Sequence, residues 1–262
     1  NAIRAYGAGN PTFSVGFSGF LNGDTYATSN ITGLATFTTT ATLASPVGNY
    51  SLTPSVGTLS SPNYNFTSFV NGTLTVFRAE LKVVADNKNR SYGKTNPALT
   101  YHYEGFVNGD STNTNAVTGT PDLILSATNT SDAGEFPIVV DMGTLSSANY
   151  SFTLVNGLLT VEKSLLTVTA SDTSKLYGAV NPNFAYRVTG FVNGQTLSTS
   201  GVSGAPDITS PALPNSSAGV PYPIQIQQGS LSAKNYSFQF KNGVLTIQKA
   251  TLTVTVSYTI LL

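Results

Sequence analysis

The chain has 262 residues with 12 basic and 12 acidic side chains, a formal net charge of zero. That balance offers no electrostatic steering toward nucleic acid or an anionic membrane, so neither is an expected partner. With no cysteine and one histidine, disulfides and His/Cys metal clusters are excluded.

No stretch reaches the roughly 20 apolar residues that cross a bilayer, so membrane insertion is not expected. No leader pattern opens at Asn1, which points to a mature product or an excised fragment. Thr, Ser, Asn and Gly fill the places that Lys and Glu take in most cytosolic proteins, which favours an extracellular location.

The chain repeats itself. Tyr-Gly stands at Tyr6, Tyr92 and Tyr177, in steps of 86 and 85 residues. Asn-Pro follows at Asn10, Asn96 and Asn181, then Gly-Phe-x-Asn-Gly at Gly19, Gly105 and Gly190. Gly-(Thr/Ser)-Leu-Ser stands at Gly57, Gly143 and Gly229, Asn-Tyr at Asn63, Asn149 and Asn235, and Asn-Gly at Asn71, Asn156 and Asn242. So many landmarks in one order define three homologous modules. They run over residues 1–78, 79–163 and 164–250, and residues 251–262 form an extra C-terminal strand.

Within each module the apolar runs are short, alternate with period two and are punctuated by turn residues. In the third, Leu166–Ala170 reads as a strand, and Tyr177-Gly178 and Asn181-Pro182 read as turns. Phe184, Tyr186 and Val188 then share one face, and Gly190–Gly194 turns again. A polar loop from Gln195 to Pro214 leads to alternating Tyr222, Ile224 and Ile226. Tyr236, Phe238 and Phe240 follow, Asn242-Gly243 predicts a hairpin, and Leu245 and Ile247 close the module. No window carries a capped amphipathic helical period. The expected fold is all-β: three tandem modules of about 86 residues, β-sandwich or β-grasp-like, arranged end to end as a rod.

The pattern Leu-Thr-Val, Tyr-Gly-x-x-Asn-Pro, Gly-Phe-x-Asn-Gly, Asn-Tyr-x-Phe and Asn-Gly-x-Leu-Thr-Val resembles the MBG domain of the Tyr-Gly-x type. The resemblance covers Leu81–Lys163 and Leu166–Lys249 fully, and Arg4–Val76 without a first strand. It implies a small β-rich module, tandem arrays in large bacterial surface or adhesin-like proteins, and no catalytic residues to carry over.

Nothing in the sequence assembles an active site. His102 lies in the alternating stretch Thr100–Glu104 and has no histidine at the matching positions of the other modules, so a structural role is expected. The carboxylates are scattered, with Asp86 and Asp172 read as equivalent turn-capping acids. Asp110 or Asp122 could contribute to no more than a weak calcium loop site. No catalytic residue, cofactor or metal is expected. The pairs Tyr64/Phe66, Tyr150/Phe152 and Tyr236/Phe238 suit core packing better than a carbohydrate platform. Asn-x-Ser/Thr occurs at Asn30, Asn49, Asn65, Asn71, Asn89, Asn129, Asn149, Asn215 and Asn235, nine sites where this composition gives about six by chance. These are candidates for glycosylation by count alone.

The ends are out of phase with the repeat. Leu81 precedes Tyr92 by eleven residues, whereas only five precede Tyr6. Module 1 is therefore expected to lack its first strand, while Thr251–Val256 matches a first strand with nothing like a fourth module after it. The expected polymerisation strand carries Leu252, Val254, Val256, Tyr258 and Ile260 on one face. Twelve extended residues reach only about 40 Å, against a rod on the order of 100 Å, so donation to a neighbouring copy is favoured over self-insertion. The partners expected are thus the chain itself, head to tail, or neighbouring repeats of the same chain. The alternative is a set of adhesin modules with a glycan or mucin ligand.

Overall fold

The computed structural model describes residues 1–257, so Tyr258 and Ile260 of the expected polymerisation strand lie outside the described residues. Module 1 contains β1 (Ala2–Ala5), β2 (Thr36–Thr38), β3 (Gly48–Ser55) and β4 (Gly72–Phe77). Module 2 contains β5 (Ala79–Ala85), β6 (Lys88–Ser91), β7 (Tyr101–Glu104), β8 (Asp122–Leu125), β9 (Gly134–Asp141), β10 (Tyr150–Val155) and β11 (Gly157–Glu162). Module 3 repeats these as β12 (Ser164–Ala170), β13 (Thr173–Leu176), β14 (Tyr186–Thr189), β15 (Asp207–Thr209), β16 (Pro221–Gln227), β17 (Tyr236–Lys241) and β18 (Gly243–Gln248).

Module 3 shows the complete design. One sheet has the order β14-β12-β17 and the other β13-β18-β16-β15. The first strand, β12, is central: it runs parallel to β17 and antiparallel to β14. Its alternating Leu166, Val168 and Ala170 are at most 2% exposed. Val168 and Ala170 from this sheet meet Ile224, Ile226, Leu245 and Ile247 from the other in one core, which makes the module a sandwich. Module 2 places β5 between β10 and β7 in the same way, and pairs β6 with β11 and β8 with β9. The one helical turn among the described residues is a 3-10 turn at Thr112–Thr114, so nothing resembles the helix of a β-grasp.

Two local expectations are corrected. Asn242-Gly243 does not close a hairpin, because β17 and β18 belong to different sheets and the chain crosses between them there. Asn242 Oδ1 accepts from the Ile226 N–H at 3.2 Å, and Asn156 Oδ1 from the Val140 N–H at 3.0 Å. A Cβ on Gly243 would stand 2.7 Å from the Ala170 carbonyl oxygen, and one on Gly157 2.6 Å from that of Ala85. Close backbone approach, rather than turn geometry, requires these glycines.

The second correction concerns Asp86 and Asp172, which are not equivalent. Asp172 accepts from the Val244 N–H, as Asn87 does from Leu158 and Asn1 from Thr73, so Asn87 and Asn1 are its counterparts.

Module 1 has a single sheet, β1-β4-β3-β2. Its segments 14–20 and 64–70 match the regions of β14 and β17, yet neither forms a strand. The reason is the absence, within residues 1–78, of the middle strand whose backbone groups would pair with both.

A buried cation two residues before each Tyr-Gly holds the loops together. Arg4 and Arg90 are 5% and 7% exposed, and their Nε atoms donate to Asn10 and Asn96 Oδ1 at 2.8 and 2.7 Å. Carbonyls of Thr42 and Thr128 take the guanidinium ends. Module 3 has Lys175 here, 7% exposed, whose Nζ reaches the carbonyls of Ala179 and Leu213. Asn181 Oδ1 is consequently buried with no donor, although its Nδ2 still bonds the Ala212 carbonyl.

Contacts divide the chain into two compact units: residues 1–86, 99–125 and 138–157, and residues 87–98, 126–137 and 158–262. None of these limits follows a module boundary. The first unit holds the junction of modules 1 and 2, and the second that of modules 2 and 3.

Lys175→Arg should satisfy Asn181 and stabilise module 3 by about 1 kcal/mol, read as a rise of a few degrees in its calorimetric transition. An unchanged or lower transition would contradict the assignment.

Candidate interaction site

The chain's distinctive chemistry lies at its module junctions and in an open groove of module 1. Between modules 1 and 2, the Tyr6 ring meets Tyr150 edge-on at 5.6 Å and 85°. Both hydroxyls donate to Asp110 Oδ2, at 3.0 and 2.8 Å. Burial first, then the Asp110 carboxylate, pushes the Tyr150 hydroxyl up to about 12, so it remains a donor at any physiological pH. The Val47 N–H donates to Asn149 Oδ1 at 3.1 Å. Gly7, at φ +77, lies so near Val107 that an added Cβ would stand 2.4 Å from Cγ2.

Between modules 2 and 3 the same contacts recur with one exchange. Tyr92 meets Tyr236 at 5.6 Å and 83°. Gln195 replaces the acid, accepting from the Tyr236 hydroxyl at 2.6 Å and donating to that of Tyr92 at 3.2 Å. The Ala133 N–H donates to Asn235 Oδ1 at 2.9 Å, and Gly93 stands against Val192 as Gly7 does against Val107. Ser164, the first residue of β12, donates from Oγ to the Tyr92 carbonyl at 2.6 Å. Lys234 pairs with Asp132 at 2.6 Å, and its hydrogen bond, with that of Asn235, lowers the Asp132 carboxyl.

In module 1 a groove of about 670 Å³ opens between segments 14–20 and 64–72, lined also by Phe37, Leu52 and Leu59. Gly72 is the counterpart of Gly157 and Gly243, yet an added Cβ there would meet nothing closer than 3.7 Å. The groove thus occupies the place of the central strand in the other two modules. The C-terminal segment 251–257 forms no strand, and Leu252, Val254 and Val256 are 87%, 89% and 95% exposed.

The remaining candidates divide among the junctions, the groove and the surface. Tyr150 and Tyr236 are 1% exposed and Phe152 and Phe238 are partly buried, which places these pairs in the core, while Tyr64 and Phe66 are half-buried beside the groove. Asp110 is occupied by two tyrosines, and Asp122 is exposed on β8. Asn30, Asn49, Asn65, Asn71, Asn89, Asn129 and Asn215 are exposed, whereas Asn149 and Asn235 use their amides at the junctions. His102 sits half-exposed on β7, its Nδ1 2.7 Å from Asp86 Oδ1 and its Nε2 3.5 Å from Glu104. The hydrogen bond to Asp86 is the main reason its pKa is raised above 6.5. Sequence reasoning missed the buried cations and the tyrosine clamp, although the cation two places before each Tyr-Gly was a visible signal.

These features define a tandem all-β repeat protein. The family profile of the MBG domain (YGX type) matches residues 1–75, 81–160 and 166–246, and the chain belongs to that family. The second and third matches open on Leu81 and Leu166, inside β5 and β12; the first opens on Asn1, just before β1. No curated protein matches the chain. Among solved structures it is similar to the I9–I11 tandem of titin, at 13% identity over 82% of each chain and a TM-score of 0.24, too low to bear on the fold. No helix among the described residues is long and apolar enough to cross a membrane.

Gly243→Ala should cost about 2 kcal/mol or more, because its Cβ meets a carbonyl, whereas Gly72→Ala should leave stability unchanged within about 0.5 kcal/mol. Calorimetry of both variants checks the difference, and equal losses would contradict an open groove. A proton NMR titration should place His102 above 6.5. Its bond to Asp86 is therefore at full strength below that ordinary value and weakens as pH rises through the raised one.

Proposed function

We propose that the chain is a structural repeat array of a bacterial extracellular fibre or surface stalk, and that it polymerises by donating residues 251–256 to module 1 of the next copy. The observation that carries this reading is the match between the groove and the unpaired tail. Leu252, Val254 and Val256 occupy the repeat positions of Leu166, Val168 and Ala170. The β12 register transfers directly: Leu252 opposite Phe66 in parallel pairing, and Val254 opposite Phe17 in antiparallel pairing.

Insertion supplies backbone partners to segments 14–20 and 64–70 at once, a form of strand addition. It also removes Leu252 and Val254 from water, worth about 1.5–3 kcal/mol each. A contact of this head-to-tail kind does not close on itself and extends into a filament.

A second reading, glycan or mucin binding, draws on the Phe17 and Tyr26 rings, stacked at 5.2 Å and 7°, with Tyr26 57% exposed. Phe17, however, is the counterpart of core-packed Val188 in module 3, so it belongs to the face a donated strand would cover. Glycan-array binding of module 1 would favour this second reading.

A peptide of residues 250–257 should bind the protein truncated after Lys249 and raise the melting temperature of module 1. The same peptide with Leu252→Asp and Val254→Asp should not bind. Absence of binding by the unaltered peptide would overturn strand donation.

A further inference from the structure

Module 1 and module 3 each present half of the junction that the chain builds twice internally. On module 1, the Tyr64 hydroxyl donates to Asp24 Oδ2 at 2.7 Å, and this bond holds its pKa above the ordinary value. Phe20 meets the Tyr64 ring edge-on at 5.7 Å and 87°, and the Leu21 N–H donates to the Tyr64 hydroxyl at 3.3 Å. The same frame surrounds Tyr150, where Phe106 stands at 5.6 Å and 87° and the Val107 N–H donates at 3.0 Å. Around Tyr236, Phe191 stands at 5.8 Å and the Val192 N–H donates at 3.2 Å. Those two sockets are filled by Tyr6 and Tyr92, which are 7% and 4% exposed. Leu21, where Val107 and Val192 receive a glycine, is 68% exposed.

Module 3 carries the matching projection. Tyr177 is the third Tyr-Gly tyrosine and is 49% exposed. Its N–H donates to the Gln248 carbonyl at 2.9 Å, as Tyr6 does to Phe77 and Tyr92 to Glu162, so its backbone is already set. Gly178 has φ +89, close to the +77 and +81 of Gly7 and Gly93, but a Cβ there would meet nothing within 4 Å. Ala218 stands at the repeat position of Val47 and Ala133, the N–H donors to Asn149 and Asn235, and Asn63 at that of the acceptors.

We propose that the Tyr177–Gly178 face of one copy docks on the Tyr64–Asp24–Leu21 face of a second copy. The Tyr177 hydroxyl then joins that of Tyr64 on Asp24, Gly178 seats against Leu21, and the Ala218 N–H bonds Asn63. This rests on the strand-donation reading and adds the surface that selects and aligns the partner. The two are geometrically linked. Tyr177 bonds Gln248, the last residue of β18, and residues 249–250 lead from there into the donated strand, as Lys163 leads from β11 into β12. A buried tyrosine at the centre of such a contact is the type of residue that dominates association energy.

Sedimentation equilibrium of the full chain and its variants tests the proposal, with melting temperature as the folding control. The full chain should associate. Tyr177→Ala should weaken association by about tenfold or more without lowering the melting temperature, since the side chain is half-exposed. Leu21→Glu should do the same from the other face. A mixture of the two variants should form dimers at concentrations where nothing longer is yet populated, because only one sound joint remains. If Tyr177→Ala associates like the parent while removal of residues 250–262 abolishes association, face docking falls and strand donation stands. If the truncated chain still associates and Tyr177→Ala does not, strand donation falls and face docking stands. A full chain that stays monomeric at its solubility limit overturns both.

Discussion

Each complete module depends on a middle strand that enters directly from the module before it. In module 3, β12 begins at Ser164, with only Lys163 between it and the end of β11, and stands between β14 and β17 with Leu166 and Val168 wholly buried. A three-stranded sheet without its centre is two unpaired edges, and backbone amides and carbonyls cannot be left so at little cost. Module 1 shows the result: its four-stranded sheet forms from its own residues, while segments 14–20 and 64–70 remain without strand structure. The covalent repeat and the folding unit are thus offset by one strand.

The same offset explains why compact units cut through module 2 rather than between modules. At each junction the tyrosine clamp, the asparagine bridge and the glycine contact sit beside the incoming strand, so they tie the end of one module to the beginning of the next. The clamp tolerates either Asp110 or Gln195 at its centre because the carboxylate accepts from both hydroxyls, whereas the amide accepts from one and donates to the other. What recurs is one side chain hydrogen-bonded to both tyrosine hydroxyls rather than a charge.

Much of this was legible in the residues. The alternation of Leu166, Val168 and Ala170 located a strand, and the Tyr-Gly spacing located three modules. What was not legible depended on which sheet a segment joins. Asn242-Gly243 has the composition of a tight turn, and only the crossover between sheets explains why it serves as a backbone contact. Asp86 and Asp172 looked equivalent because each precedes a Tyr-Gly, yet a one-residue difference in spacing separates them. Arg4, Arg90 and Lys175 were hidden because exposed surface is the usual place for such side chains, whereas here each is buried and donates to two backbone carbonyls. The family resemblance, for its part, carried the fold and said nothing of the clamp.

One consequence follows from the likeness of the outer faces to the inner junctions. A thread assembled through Tyr177 and Tyr64 would bear no seam, since the step from one polypeptide to the next would match the step between neighbouring modules of a single one. Each boundary between polypeptides would then fall at a joint of the kind that already recurs every 85 or 86 residues within one.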